Sequence, residues 1–273
     1  IDALDVRFYR RRSAEIKEVR KYAIKEILEK KTYPISFELN PKKEPSTLQF
    51  KGYEGTMIDS KVTNGKRLFY DKTKPFLEPV SYKNKFRPNS EVTIPQGYIL
   101  KQGWHRVTER LQNNQVEFTQ FKKDTTMVVE TFHVDDYKTR TNAYEGHYLH
   151  YNTNVKIDSI AVTFSKGDLY IPVNQKGARY IMETLEPEAT DSFFNWNFFD
   201  TVLQQKEGYS AYVFEDVAEQ FLKDNPDVKK ELENKLATDK DFSKNPRAQL
   251  NFIYKKSQHY EKAHLLLPVF KVY

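Results

Sequence analysis

The sequence predicts an α+β fold: a helical leader, a β-rich middle containing a small strand-helix-strand-strand unit, and a helical C-terminal layer. Three observations predict it. Apolar residues recur at helical spacing from Ser13 to Lys30, they alternate with period two in short segments between residues 33 and 173, and helical stripes return from residue 174 onward. With 273 residues, 38% of them hydrophobic and including 19 Phe and 18 Tyr, the chain can bury a sizeable core and is no disordered polymer. The expected divisions are a helical linker over 1–32, a β-rich domain over 33–173 and a helical segment over 174–273 packed on it.

In the leader, Ile16, Val19, Ala23 and Ile27 share one face, Ile24 and Leu28 widen it, and Ser13 stands where a cap belongs. Ile35, Phe37 and Leu39 then alternate as a half-buried strand, and Asn64-Gly65 between "MIDSKV" and "KRLFY" is a hairpin signal. Prolines at 75, 79, 88 and 95 predict extended, loop-like connections over 71–95. After them "GYILK" reads as a strand, "QGWHRVTERLQ" as a helix, and "VEFTQF" and "TTMVVETFHV" as two more strands. "NVKIDSIAVTF" and "GDLYIPV" read as a closing strand pair turning at Lys166-Gly167-Asp168. Helices are expected at "QKGARYIMETL", "NWNFFDTVLQQ" and "VFEDVAEQFLKD". Two more follow Asn225-Pro226 and Asn245-Pro246, where a capping side chain precedes a proline suited to the first turn.

Charge and composition exclude several classes of function. Forty-four Lys and Arg against 38 Asp and Glu give +6, with no block of like charge. Arg10, Arg11 and Arg12 head a mixed-charge helix, and with no nucleic-acid-binding fingerprint beside them they read as a solvated face, not a nucleic-acid patch. Cysteine is absent, which removes disulfides, thiolate catalysis and cysteine zinc sites. No apolar run approaches the roughly 20 residues that cross a bilayer, so no membrane span is expected, and no signal peptide is present. Because the sequence starts at Ile1 without Met, it reads as a piece of a longer polypeptide.

Six histidines are the natural place to look for a metal. His147 and His150 form a His-x-x-His in "YEGHYLHY" with Glu145 alongside. A metal pair at that spacing wants a helix, and this segment reads as a loop or strand edge, so surface or packing roles come first. No Gly-x-Ser-x-Gly elbow, Walker loop or dinucleotide glycine fingerprint occurs. Pairs such as Asp135-Asp136 and Glu215-Asp216 are adjacent in sequence and do not converge on one substrate. No catalytic residue is assigned, and no cofactor is expected in this chain.

Over "GDLYIPVNQKGARYIMETLEPEATDSFFNWNFFDTVLQQKEGYSAYVFED" the chain resembles the C-terminal region of large bacterial proteins related to zinc carboxypeptidases, the carboxypeptidase A-like metallopeptidases. The likeness includes "DTTMVVETFHVDDYKTRTNAYEGHY" and "RAQLNFIYKKSQHYEKAHLLLPVFKV", so about residues 95 to 272 match in order, and 33 to 94 match loosely. In that family a His-x-x-Glu pair and a later His hold zinc, and a further Glu serves as general base. Here no histidine is followed three residues later by Glu, so no zinc ligand carries over. The resemblance therefore implies an upstream peptidase domain of the same polypeptide that holds the zinc, peptide substrates, and an extracytoplasmic (periplasmic or secreted) location. This chain would be its accessory region; a free-standing glycan- or peptide-binding module using exposed aromatics is the alternative.

Residues 186–216 contain Phe193, Phe194, Trp196, Phe198, Phe199, Tyr209, Tyr212 and Phe214. So many rings, each burying on the order of 150–250 Å², read first as core and inter-domain packing. Asp191, Ser192, Asn195, Trp196 and Asn197 are the candidates for substrate contact. Asp168, Asn174, Arg179 and Glu186 read as turn and cap partners.

Overall fold

The structure, a computed structural model, describes the backbone of residues 3–273 and the side chains of residues 12–27 and 29–273. It is α+β, with 31% of residues helical and 37% in strands. Two compact units divide it: Thr32–Thr93 form one, and the residues on either side form the other. The β-rich middle expected over 33–173 is thus divided, and its second half shares a unit with the helical segment. No described helix is long and apolar enough to cross a membrane.

Helix α1 (Ala3–Glu29) begins ten residues before the expected cap at Ser13, which lies in its interior. Arg, Ala, Glu and Lys around it are strong helix formers and carry the helix through the serine. Val19 and Tyr22 are exposed, while Ile24 and Ile27 are half-buried.

The Thr32–Thr93 unit consists of two antiparallel ribbons. One pairs β1 (Thr32–Leu39) with β4 (Phe86–Thr93); the other pairs β2 (Ser46–Asp59) with β3 (Lys66–Tyr82) across a loop over 60–65 that contains the expected Asn64-Gly65 hairpin signal. Residues 71–95 are therefore mostly strand, contrary to the loop expectation. Pro75, Pro79 and Pro88 pair with Tyr53, Gln49 and Phe37. In a two-stranded ribbon every strand has a free edge, so a residue without an N–H is tolerated there. Gly52 lies under the Phe76 ring: a Cβ at this position would fall 2.5 Å from Phe76 Cζ, so the ring would have to shift to admit a larger residue.

The other unit is built on a six-stranded antiparallel sheet. In chain order its elements are β5 (Gly97–Leu100), α2 (His105–Asn113), β6 (Thr119–Gln120), β7 (Thr125–Thr139), β8 (His150–Phe164) and β9 (Leu169–Pro172). There follow α3 (Ala178–Leu185), α4 (Ala211–Asp224), α5 (Pro226–Thr238), α6 (Lys240–Ser243), α7 (Pro246–Lys256) and β10 (Leu266–Val272). The sheet order is β6-β9-β5-β10-β7-β8. "VEFTQF" yields only the two-residue β6. β8 and β9 are both strands but do not pair with each other: β8 is an edge on β7, and β9 lies between β6 and β5. Asp168 ties the turn between them, its two carboxylate oxygens accepting from Gln102 N at 2.9 Å and Ser165 N at 2.8 Å.

The helical segment holds two departures from expectation. Over "NWNFFDTVLQQ" the chain makes consecutive turns and a 3-10 turn at Asp200–Leu203 instead of an α-helix, with Asn197 at φ 65°. Asparagine tolerates that left-handed backbone, and a row of adjacent rings offers no helical stripe. Asn245 caps α7 by accepting from Ala248 N at 3.0 Å, whereas Asn225 leaves α5 uncapped and its Nδ2 donates back to Phe221 O at 2.8 Å.

The second departure is β10, a central strand inside what reads as a helical end. Covered on both faces, Leu267 to Lys271 form a continuous buried run without alternation. Its register sets Lys271 beside Tyr98 of β5 and Glu130 of β7. The ammonium, 2% exposed, lies 3.0 Å from the Glu186 carboxylate and over the Phe132 ring at 5.1 Å. Tyr98 donates its hydroxyl to the same carboxylate. Glu186 is the C-cap of α3, as expected, and its carboxylate is in addition a buried ionisable partner. Burial raises the Glu186 carboxyl above the ordinary range, and Lys271 and Tyr98 oppose that rise. Burial and the neighbouring carboxylate push the Tyr98 phenol well up.

Candidate functional site

Two candidate groups far apart in sequence meet in space. Between β7 and β8 the chain makes a small hairpin closed by Arg140 N donating to Leu149 O at 2.9 Å. At its tip Tyr144 and His147 exchange both backbone hydrogen bonds, at 2.8 and 2.9 Å. Glu145 and Gly146, at φ 49° and 79°, supply the double left-handed turn that matches strand twist. Tyr144 and His147 thereby stand side by side. Facing them is the 186–200 segment, whose turns are held by their own polar groups. Ser192 Oγ donates to Pro187 O at 2.9 Å and accepts from Asn195 N at 3.0 Å.

Asn195, 4% exposed, joins the two pieces. Its Nδ2 donates to Ala189 O at 2.8 Å, its Oδ1 accepts from Thr153 Oγ1 at 2.7 Å, and its carbonyl accepts from His150 N at 2.8 Å. Asn197 adds a bond from Nδ2 to Tyr148 O at 2.9 Å, while its Oδ1 is buried without a partner.

His150 points inward from this seam. Its Nδ1 lies 2.9 Å from Thr139 Oγ1 and its Nε2 lies 3.0 Å from Asp200 Oδ1. Its Nε2 also lies 3.2 Å from Asn197 Nδ2, so both ring nitrogens are engaged by protein groups. Its ring packs between Tyr137 at 4.7 Å and Phe194 at 5.0 Å. Burial, then the Asp200 charge, raises the Tyr137 phenol above its usual value. Held at both nitrogens, this imidazole is a structural tie and has no free nitrogen for a substrate proton or a metal.

His147 points the other way. Its ring stacks on Phe198 at 5.9 Å and meets Trp196 edge-on at 5.6 Å; Tyr144 lies 6.3 Å from Trp196. Trp196 Nε1 donates to Asp191 Oδ1 at 3.3 Å. Tyr144, Glu145 and Asp191 are exposed, and Trp196, Phe198 and His147 are half-buried, so this face is an aromatic platform edged by two carboxylates.

His147, His150 and Glu145 thus serve different layers. Among the described residues no three of His, Asp and Glu gather as metal ligands. Asp191 and Trp196 belong to the platform or its rim, Asn197 donates to Tyr148 O and lies 3.2 Å from His150 Nε2 on the seam, and Ser192 and Asn195 are buried and tie backbone. Of the eight rings in 186–216, Phe193, Phe194, Phe199 and Phe214 are buried as expected, and Tyr212 is the clear exception at 85% exposed. Asn174 is exposed, and Arg179 pairs with Glu183 at 2.9 Å on α3.

Sequence reasoning missed Thr139, Thr153, Tyr137 and Asp200, the partners that give His150 and Asn195 their roles. Thr139 stands opposite His150 only through the β7–β8 register, which no local motif encodes. No family model matches the chain, and neither a curated protein nor a solved structure matches it.

Proposed function

We propose that this chain is the accessory, non-catalytic C-terminal region of a zinc carboxypeptidase-like polypeptide, exported by a bacterium, that supports or walls an upstream peptidase domain and restricts which peptides enter it. One observation carries the reading: the segment 186–216, part of the stretch that carries the likeness, directs its buried polar groups at its own backbone and at the β7–β8 hairpin. Such a segment builds a rigid wall and presents no nucleophile, base and acceptor in mutual reach. The zinc would belong to the upstream domain, where it would activate water and polarise a peptide carbonyl.

The platform of Tyr144, His147 and Trp196 favours a second reading, a free-standing module that stacks glycan or peptide chains on exposed rings. The longer reading frame separates the two. Expressed whole, the polypeptide is expected to bind zinc stoichiometrically and to release C-terminal residues from peptides. A frame without a zinc-ligand motif upstream of Ile1 would favour the binding module, and a start codon immediately before Ile1 would overturn the accessory reading.

A further inference from the structure

The helices α4 and α7 pack around Phe214, Leu250 and Tyr254, a core separate from the residues that tie the hairpin. Beside that core, the segment from Gln205 to Ser210 leaves two adjoining hollows that share Gly208 and Tyr209 in their walls. The smaller, of 290 Å³, is walled by Tyr209, Val213, Phe214, Val217, Tyr254 and His259. Its rings stand close, Tyr209 at 4.9 Å from Phe214 and 4.7 Å from Tyr254, which fixes the apolar shape. The larger, of 830 Å³, carries the charges: Arg247 and Asn251 from α7 and Glu215 from α4.

Arg247 and Asn251 are four residues apart on α7, and so lie on one face a turn from each other. Among the described residues neither makes a side-chain hydrogen bond, and Arg247 and Glu215 form no ion pair with each other or with a third group. Tyr209 joins the two hollows: burial raises its phenol, and the Arg247 charge counters that rise, so the guanidinium acts on the shared wall.

Three chemistries thus converge: a guanidinium with an amide beside it suits a carboxylate, a carboxylate across the cleft suits an ammonium, and an aromatic-aliphatic hollow suits an apolar side chain. We propose that the cleft between α4 and α7 binds a free α-amino acid with an apolar or aromatic side chain. Arg247 and Asn251 take its carboxylate, Glu215 its ammonium, and the smaller hollow its side chain. Glu215 disfavours a ligand that is only anionic, which selects the zwitterion over a simple carboxylic acid. The inference is independent of the peptidase reading, because it uses only the α4–α7 cleft.

The test is calorimetric titration of the chain with L-phenylalanine, L-phenylalaninamide, N-acetyl-L-phenylalanine and glycine. L-Phenylalanine is expected to bind saturably. The amide, the acetylated form and glycine should each bind more weakly by about tenfold or more, since each lacks one of the three recognised groups. Arg247→Gln, at an exposed position, should weaken L-phenylalanine by about tenfold while thermal unfolding is unchanged. Val217→Trp, which fills the small hollow, should weaken L-phenylalanine but leave glycine as it was. No saturable binding of L-phenylalanine, equal binding of the amide or of glycine, or unaltered affinity in Arg247→Gln with the fold intact would each overturn the proposal.

Discussion

Lys271→Met is expected to destabilise the chain by about 3 to 5 kcal/mol, because it leaves the Glu186 carboxylate buried without its cation. The methionine itself fits a strand buried on both faces, so the loss reports the uncompensated charge and not a packing fault. The pH dependence fixes the sign. A Glu186 pKa raised above its ordinary value of 4.5 means the folded state holds that proton more tightly. The stability this contributes is full below the ordinary value and is lost as pH rises through the folded one. Removing Lys271 takes away the main influence holding the pKa down, so the variant should be least impaired near pH 4.5 and progressively worse toward pH 8. Urea unfolding at several pH values checks this, and adding Glu186→Gln should restore part of the loss at neutral pH. A pH-independent loss would mean that the pair is not what holds β5, β10 and the end of α3 together.

Phe194→Ala is the second large effect. The ring is 1% exposed and packs against both Tyr137 and His150, so its removal should cost about 3 to 5 kcal/mol. Its consequence is also local. With the ring gone, the His150 imidazole loses a wall, and the hairpin carrying Tyr144 and His147 loses its footing on the 186–200 segment. Amide hydrogen exchange over residues 140–149 should accelerate more than exchange in α4 or α7, which pack around a different core. Equal acceleration everywhere would mean that the seam is not a separate cooperative piece.

Much of the fold was legible because it follows from short-range pattern. The α1 helix, the β2–β3 hairpin, the Asn245 cap and the strands β7 and β8 each announce themselves within a dozen residues. What failed depends on partners distant in sequence. β10 reads as a short apolar run, and only its place between β5 and β7 makes it a strand. The prolines of β3 look like breakers until the ribbon is seen to have free edges. The 191–203 segment has the composition of a helix but no stripe, and its turns are set by Ser192, Asn195 and Asn197 bonding to backbone elsewhere.

For the candidate site, the residue types were visible and their assembly was not. His147 and Trp196 lie 49 positions apart, and their ring contact needs the type I′ turn at Glu145-Gly146 and the left-handed backbone of Asn197 together. Glu186 reads as a cap because it ends a helix. Its burial depends on Lys271, which a solvated-charge reading of the C-terminal segment would place outside.

The central claim, that this chain carries no peptidase chemistry of its own, is tested most directly by titrating zinc into the purified 273-residue chain by calorimetry and assaying the same sample on peptides with free C-terminal residues. The account predicts no stoichiometric tight binding and no zinc-dependent release of an amino acid, because His150 is held at both nitrogens while His147 belongs to the aromatic platform. Stoichiometric submicromolar zinc binding that is lost in His147→Ala, or zinc-dependent release of a C-terminal residue, would contradict it.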